Sequence, residues 1–119
     1  MKHTIHESKI KTVQLPGRLH KMIVKPENMG TKRMCFGIAD FPAQAHAPAH
    51  VHKKEEEIIY ILTGSGKMFF DGKSEPIKPG TCIFIPPKVV HSINNTSKQV
   101  MKLVYVFSPP VVQGSYDKK

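Results

Sequence analysis

The chain has 119 residues, of which 39% are hydrophobic and 23% charged, and this composition fits one ordinary globular domain and excludes a disordered chain. Basic residues outnumber acidic ones by 18 to 9, for a net charge of +9, but they are scattered; we therefore expect no nucleic-acid partner and interpret the charge as a solubilising surface or as a field that attracts a small anion. No apolar run approaches the roughly 20 residues of a membrane span, and no apolar stretch follows the first positive charges, so we expect no membrane partner, no secretory signal and a cytoplasmic location.

Turn-forming residues divide the chain into short segments. Ten prolines and eight glycines leave little room for long helices, and the segments between them are rich in Ile, Val, Phe, Tyr and Thr. Many short strands of this kind predict an all-β sandwich or barrel. In chain order, the predicted strands are Met22–Val24, Arg33–Asp40, Ala49–His52, Glu57–Leu62, Gly66–Phe70, Ser74–Ile77, Thr81–Ile85, His91–Asn94 and Val100–Phe107.

The domain organisation predicted from this pattern is simple. The chain forms one domain, 1–119, with a core barrel at about 33–107, an N-terminal arm at 1–24 and a C-terminal tail at 108–119. The two cysteines, Cys35 and Cys82, lie far apart in the sequence and form no Cys-x-x-Cys motif. We predict that both are buried free thiols that act as small hydrophobic side chains.

Three histidines and a run of glutamates are the candidate metal-binding residues of the sequence. His50 and His52 are two residues apart on a predicted strand, where alternate side chains point to the same face. A glutamate returns beside them on the next strand, but both faces of that strand look buried, so alternation leaves Glu56 and Glu57 open. With His91, such a set suits Mn²⁺, Fe²⁺, Ni²⁺, Cu²⁺ or Zn²⁺.

These residues resemble the two sequence motifs of the cupin superfamily. The first motif reads His-x-His, four residues, Glu, six residues, Gly, and it is matched by His50, His52, Glu57 and Gly64. The second motif reads Gly, five residues, Pro-x-Gly, two residues, His, three residues, Asn, and it is matched by Gly80, Pro86, His91 and Asn95. Counting back from Gly64 selects Glu57 over Glu56. The resemblance extends from about Phe41 to Phe107.

The chain departs from the family pattern at two positions. The glycine that opens the first motif is replaced by Gln44, and the glycine two residues after Pro86 is replaced by Lys88. Glycine in such a place mainly supplies a positive φ, so the departures concern the shape of the loops and not the ligands. We expect Asn95 to cap a turn and to make no contact with a substrate.

The resemblance implies a fold and a site. The fold is a jelly-roll-like double-stranded β-helix barrel of two antiparallel sheets, and one divalent transition metal lies inside it. The implied ligands are His50, His52, Glu57 and His91. Small members of the family usually form homodimers, often by exchanging N-terminal strands. The segment Leu19 to Val24 is a candidate for such an exchange, and the alternative is that it completes its own barrel.

Function follows less directly, because one fold hosts many reactions. We expect a metal-dependent enzyme that acts on a small polar or anionic molecule, either by dioxygenase or decarboxylase chemistry or by sugar isomerase, epimerase or lyase chemistry. The alternatives are a non-catalytic module that binds a small molecule or sugar around a structural metal, and a scaffold with an empty barrel.

Few groups remain for proton transfer once the metal ligands are assigned. His46, Glu56 and Tyr60 are the candidate catalytic residues, although a loop position without a role is the alternative for His46. The C-terminal tail either covers the open end of the barrel, where it would present Gln113 or Tyr116 to a ligand, or packs against the outer face of a sheet.

Overall fold

A computed structural model describes residues 2–112 of the chain, and most of them lie in or between β-strands. The strands are β1 (Val13–Leu15), β2 (Arg18–Val24), β3 (Cys35–Phe41), β4 (Glu56–Thr63), β5 (Gly66–Phe70), β6 (Lys73–Ile77), β7 (Cys82–Ile85), β8 (His91–Asn95) and β9 (Met101–Ser108). A 3₁₀ turn at Glu7–Lys9 precedes them, and the one-turn helix α1 (Pro26–Met29) joins β2 to β3. None of the helices among residues 2–112 is long and apolar enough to cross a bilayer.

The strands form two antiparallel sheets. The larger sheet has the order β1-β2-β3-β9-β4-β7, and the smaller has the order β6-β5-β8. Strand β9 is central to the larger sheet, because it pairs with β3 from Cys35↔Phe107 to Phe41↔Met101 and with β4 on its other side. The all-β jelly-roll class predicted from the sequence is confirmed by this arrangement.

The core follows from alternation along the strands. In β4 the side chains of Glu57, Ile59 and Ile61 are buried, whereas those of Ile58 and Tyr60 are exposed. Strand β9 shows the same period, with every second residue from Met101 to Phe107 buried. Such alternation is expected of an antiparallel sheet that packs one face on the core. The inner faces of both sheets therefore enclose the interior of the barrel. Glu57 is an acidic side chain in this mostly apolar interior.

Two loops have a left-handed backbone conformation at the positions where the family motifs have glycine and this chain does not. Gln44 and Lys88, which replace the two glycines of the family motifs, have φ angles of 63° and 68°. These angles lie in the left-handed region, which glycine enters easily and other residues enter at a cost. Asn95 is fully buried, and its amide group donates to the backbone carbonyls of Phe41 and Pro42. Its Oδ1 atom accepts from the amide of Ser97, so Asn95 caps the turn that follows β8, as predicted.

Several predictions about elements were wrong. Ala49–His52 is not a regular strand, because this part of the chain makes only the isolated bridges His46↔Asn94 and His50↔His91 alongside β8. Pro48 lies between the two bridges and has no N–H group to continue the ladder. The first predicted strand was also too short, since β2 begins at Arg18, and β1 and α1 were not predicted.

The N-terminal strand completes its own barrel in this structure. Strand β2 pairs with β3 of the same chain, from Leu19↔Asp40 to Val24↔Phe36. Cys35 is a buried free thiol as predicted, but the prediction for Cys82 was wrong, because its side chain is exposed on the outer face of β7. The roles predicted for Gln113 and Tyr116 concern positions outside the described residues.

Candidate metal centre

Two of the three histidines are held by a backbone bridge. The amide groups of His50 and His91 each donate to the other's carbonyl oxygen at 2.9 Å, and their rings lie 4.3 Å apart, centre to centre. His52, two residues further on, brings its ring to 5.1 Å from that of His91. Glu57 approaches from the inner face of β4, in the other sheet. Separate segments thus deliver all four side chains to one place inside the barrel.

The four side chains form a compact cluster. His50, His52, Glu57 and His91 each offer one ligand atom, and these atoms lie within 4.8 Å of one another. The Oε1 atom of Glu57 is 3.4 Å from Nε2 of His52 and 3.5 Å from Nε2 of His91. Both distances are longer than a good N–H···O hydrogen bond. The groups are therefore gathered around a shared space and are not locked to one another.

Backbone carbonyls determine which ring nitrogen faces that space. Nδ1 of His91 lies 2.8 Å from the carbonyl oxygen of Val89, and Nδ1 of His50 lies 3.2 Å from that of Pro48. Because a carbonyl oxygen only accepts, each Nδ1 must carry the proton and donate it. In the neutral form of either ring, Nε2 then has the lone pair and faces the shared space, which is the form and orientation that a metal ligand needs.

The surroundings of the cluster favour an ionised carboxylate on Glu57 and a neutral imidazole on His50. Burial alone would raise the pKa of Glu57, but its contacts with His52 and His91 outweigh burial and hold the pKa below its ordinary value. Burial, together with the nearby His91, lowers the pKa of His50 to about 3. A deprotonated acid and a neutral imidazole are the states in which these groups bind a cation.

The residues fit a divalent transition metal. Oε1 of Glu57 and Nε2 of His91 are buried and make no hydrogen bond with any of residues 2–112. Buried polar atoms normally have partners, and leaving them without one is unfavourable. A cation coordinated by imidazole nitrogens and one carboxylate would satisfy both atoms.

A cavity beside the cluster contains polar groups that sequence analysis did not identify. Arg18, His20 and Tyr105 line it together with His50, Glu57 and His91. Arg18 and His20 are almost fully buried on the inner face of β2, and Tyr105 is buried on β9. The alternation of Arg18, His20 and Met22 with outward-facing residues indicates that the arginine faces inward. Sequence analysis missed this signal because its first predicted strand began at Met22.

The three candidate catalytic residues lie away from this cavity. Glu56 and Tyr60 occupy exposed positions of β4, on the face opposite to Glu57. His46 is half-buried, and its backbone bridges Asn94. None of the three is among the residues that line the cavity. A catalytic role for His46, Glu56 and Tyr60 stays a prediction.

A barrel of two antiparallel sheets, with three histidines and one glutamate gathered inside it, defines a class of β-barrel proteins with an interior site suited to a metal ion. Comparison with known families agrees with that class, because the model of the cupin domain matches residues 37–107. The chain therefore belongs to the cupin family.

Comparison with individual proteins places the chain among small cupins. It is 31% identical to the uncharacterized protein MJ1618 of Methanocaldococcus jannaschii over 79% of this chain and 75% of that one. It is 33% identical to an oxalate-binding protein of Thermotoga maritima over 71% of this chain and 69% of that one. A crystal structure described as a predicted oxalate decarboxylase from Thermotoga maritima superposes with a TM-score of 0.78 at 27% identity, covering 88% of this chain and 97% of that one.

Proposed function

We propose that this chain is a metal-dependent cupin that acts on a small polar or anionic molecule. The observation that carries the proposal is the buried cluster of His50, His52, Glu57 and His91, whose ligand atoms lie within 4.8 Å of one another. The proposed cofactor is one divalent ion of Mn, Fe, Ni, Cu or Zn held by these four residues. The proposed location is the cytoplasm, with no nucleic-acid or membrane partner.

Two kinds of reaction suit such a site. A redox-active ion supports dioxygenase or decarboxylase chemistry, whereas a Lewis acid supports isomerase, epimerase or lyase chemistry on a hydroxy-carbonyl compound. The protein would contribute the ionised carboxylate of Glu57 and the lone pairs of His50 and His91, oriented by the carbonyls of Pro48 and Val89. The apolar walls of the barrel would limit the access of water to the reacting groups.

A second candidate function is binding without turnover. It is supported by the relative from Thermotoga maritima that is named an oxalate-binding protein. It is also supported by the lining of the cavity. Glu57 is the one acidic side chain among the described residues that line it, and as a proposed metal ligand it is not available for proton transfer. A binding module would retain its ligand unchanged, and an enzyme would convert it.

The ligand assignment is tested by the variant His52→Ala. Protein prepared without added metal is analysed for its metal content by mass spectrometry, and Ni²⁺ affinity is then measured by titration. We expect about one ion per chain in the wild type and an affinity at least about 100-fold lower in the variant, because losing a ligand costs more than losing a group that only orients a ligand. His46→Ala removes a histidine outside the cluster and is the matched control.

The outcomes separate the proposals. Unchanged metal content in His52→Ala, with a normal circular dichroism spectrum, would show that the ligands are wrong. If the metal-loaded wild type consumes oxygen or releases carbon dioxide from oxalate, the redox enzyme is supported. Recovery of bound oxalate, unchanged after prolonged incubation, would favour the binding module instead.

We further propose that two copies form a homodimer through the outer face of the larger sheet. Phe36, Val106, Ile58 and Phe84 pair in register across β3, β9, β4 and β7, and so do Ile38, Val104, Tyr60 and Cys82. Four strands spaced by about 4.8 Å give these two rows an apolar area on the order of 300 Å², enough for the core of an interface that buries roughly 800 Å² per partner. No charged side chain lies in either row. We name this surface the outer apolar face.

A further inference from the structure

The cavity beside the cluster begins at two atoms that are suited to hold the proposed metal. Oε1 of Glu57 and Nε2 of His91 are buried and make no hydrogen bond with any of residues 2–112, and both side chains line the cavity. Only 6% of the surface of Glu57 and 2% of that of His91 is exposed. A molecule in this cavity would therefore lie next to the proposed ion.

The register of the larger sheet shows how the cavity extends from the cluster. Ile59 follows Glu57 on the inner face of β4 and pairs with Tyr105 of β9. Two residues further along the inner face of each strand, Leu103 of β9 pairs with Ala39 of β3. Ile59, Leu103 and Ala39 are all buried and all line the cavity. The cavity thus runs from the carboxylate along an apolar part of the larger sheet.

The smaller sheet closes the cavity from the opposite side. Ile93 lies two residues after His91 on the inner face of β8, and its carbonyl oxygen accepts from the amide of Ala47 at 3.3 Å. Ile93 and Ala47 are buried and line the cavity, as does Phe41 at the end of β3. Most of the surface of the cavity is apolar as a result.

The polar side chains at the β2 side of the cavity bond to one another. Nε of Arg18 donates to Nε2 of His20 at 3.2 Å, and Nδ1 of His20 lies 2.8 Å from Oη of Tyr105. Nη1 of Arg18 donates to the carbonyl oxygen of Pro16 at 2.7 Å. Gly37 makes room for the tyrosine ring, since a Cβ atom there would lie 2.5 Å from Oη. We interpret these three side chains as a fixed wall and assign them no contact with a ligand.

The size of the cavity restricts the ligand. The centres of water-sized molecules can occupy about 30 Å³ of it, which is room for roughly two to three waters. A sugar ring does not fit in such a space, whereas an alkyl tail of one or two carbons does. Apolar walls favour such a tail, because moving a CH₂ group out of water is favourable. The net charge of +9 would attract a ligand with an anionic head group.

We propose that the cavity is a binding pocket for a short-chain monocarboxylate, whose carboxylate binds the metal and whose tail of one or two carbons packs against the apolar walls. This inference rests on the proposed function, because the proposed ion would hold the head group. It goes beyond that function by naming the class of ligand. Ala39 and Ile93 determine the length of the tail, because they line the cavity from opposite sheets.

The test measures binding and not turnover. Protein loaded with Co²⁺ is titrated with formate, acetate, propionate, butyrate and pentanoate. Calorimetry gives the dissociation constants, and the visible spectrum of Co²⁺ shows whether each carboxylate reaches the metal. In the wild type we expect the affinity to rise about three- to fourfold with each carbon from formate to propionate. From propionate to butyrate it should fall at least about tenfold, because the longer tail does not fit.

Three variants locate the tail in the cavity. Ala39→Val adds two methyl groups to the wall and should weaken propionate binding at least about tenfold, with the affinities for formate and Co²⁺ within about threefold of the wild type. Ile93→Val removes one methyl group and should strengthen butyrate binding about 3- to 10-fold. Ile83→Val is the matched control, since Ile83 is a buried isoleucine that does not line this cavity, and it should change every affinity by less than about twofold.

The possible failures are distinguishable. If the wild type binds no Co²⁺, both the proposed function and the pocket are overturned. If it binds Co²⁺ but no carboxylate, or if the affinity is independent of chain length or rises steadily to pentanoate, the pocket is wrong and the metal centre stands. Identical affinities in Ile93→Val and Ile83→Val would also refute the pocket, and this comparison of two conservative changes remains informative even if Ala39→Val is unstable.

Discussion

His20 is the residue whose chemistry differs most from that of a surface histidine. Burial, followed by the positive charge of Arg18, lowers the pKa of His20 from 6.5 to about 3. Its ring stays neutral in the folded protein, whereas in the unfolded chain it takes up a proton below pH 6.5. The unfolded state thus binds more protons between pH 6.5 and 3, and stability rises with pH over that range. The contribution of His20 is complete above pH 6.5 and is lost as the pH falls toward 3.

The variant His20→Gln should flatten this dependence. Glutamine is polar and does not titrate, so the metal-free variant should lose about 2–3 kcal/mol less unfolding free energy between pH 7 and pH 4.5 than the metal-free wild type loses. Urea denaturation at a series of pH values measures the difference. The effect of His50 is common to both proteins and cancels. His3→Gln, at an exposed position, is the control and should follow the wild type. Parallel curves for His20→Gln and the wild type would contradict the prediction.

At the residue scale, the sequence predicted the cluster better than its surroundings. The cluster could be anticipated because His50 and His52 are two residues apart and the resemblance to the cupin motif selects Glu57 over Glu56. Arg18 and Tyr105 lie more than 80 positions apart and meet only through the pairing of β2 and β9 with β3. No local pattern encodes such a meeting, so this side of the cavity became visible only in three dimensions.

At the scale of elements, Gln44 and Lys88 show that a turn can keep its shape without its glycine. Gln44 is supported by its side chain, whose Nε2 donates to the carbonyls of Thr96 and Ser97. The amide of Lys88 donates to the carbonyl of His52 at 2.7 Å, and this bond ties the turn to the histidine segment. The sequence left the shape of both loops open, and these contacts accompany a left-handed conformation at both positions.

Lys88→Gly should stabilise the protein. A residue with a side chain loses about 1–2 kcal/mol in the left-handed region, and glycine returns about 0.5–1 kcal/mol of this through its greater freedom in the unfolded chain. We expect a net gain of about 0.5–1 kcal/mol in the free energy of unfolding, measured by urea denaturation. Lys53→Gly is the matched control, because Lys53 is exposed and is not among the described residues with positive φ, so its replacement should destabilise. A loss of stability in Lys88→Gly would show that its φ angle carries no strain.

At the scale of the whole molecule, the two faces of the larger sheet have different tasks. Its inner face carries Glu57 and Tyr105 toward the cavity, whereas its outer face presents apolar side chains to solvent. Phe84 and Ile58 are directly paired across β7 and β4, and their exposed fractions are 57% and 46%. A chain with a net charge of +9 repels its own copies, so association requires a surface where charge is absent. The outer apolar face meets that requirement.

Phe84→Lys should therefore separate the proposed homodimer into single chains. The wild type should sediment with twice the chain mass of 13.4 kDa at micromolar concentration, and the variant with the mass of one chain, because each copy would bring a charge into the outer apolar face. Val100→Lys is the matched control, since Val100 is similarly exposed, at 51%, and lies outside the outer apolar face.

A dimer that persists in Phe84→Lys would place the interface elsewhere on the barrel. A monomeric wild type at 100 µM, a concentration high enough to populate even an interface with a dissociation constant of about 10 µM, would refute the homodimer itself. Because Phe84 faces outward on β7 and is not among the clustered residues, the metal content of Phe84→Lys should equal that of the wild type. Association and metal binding would then be independent properties of opposite faces of one sheet.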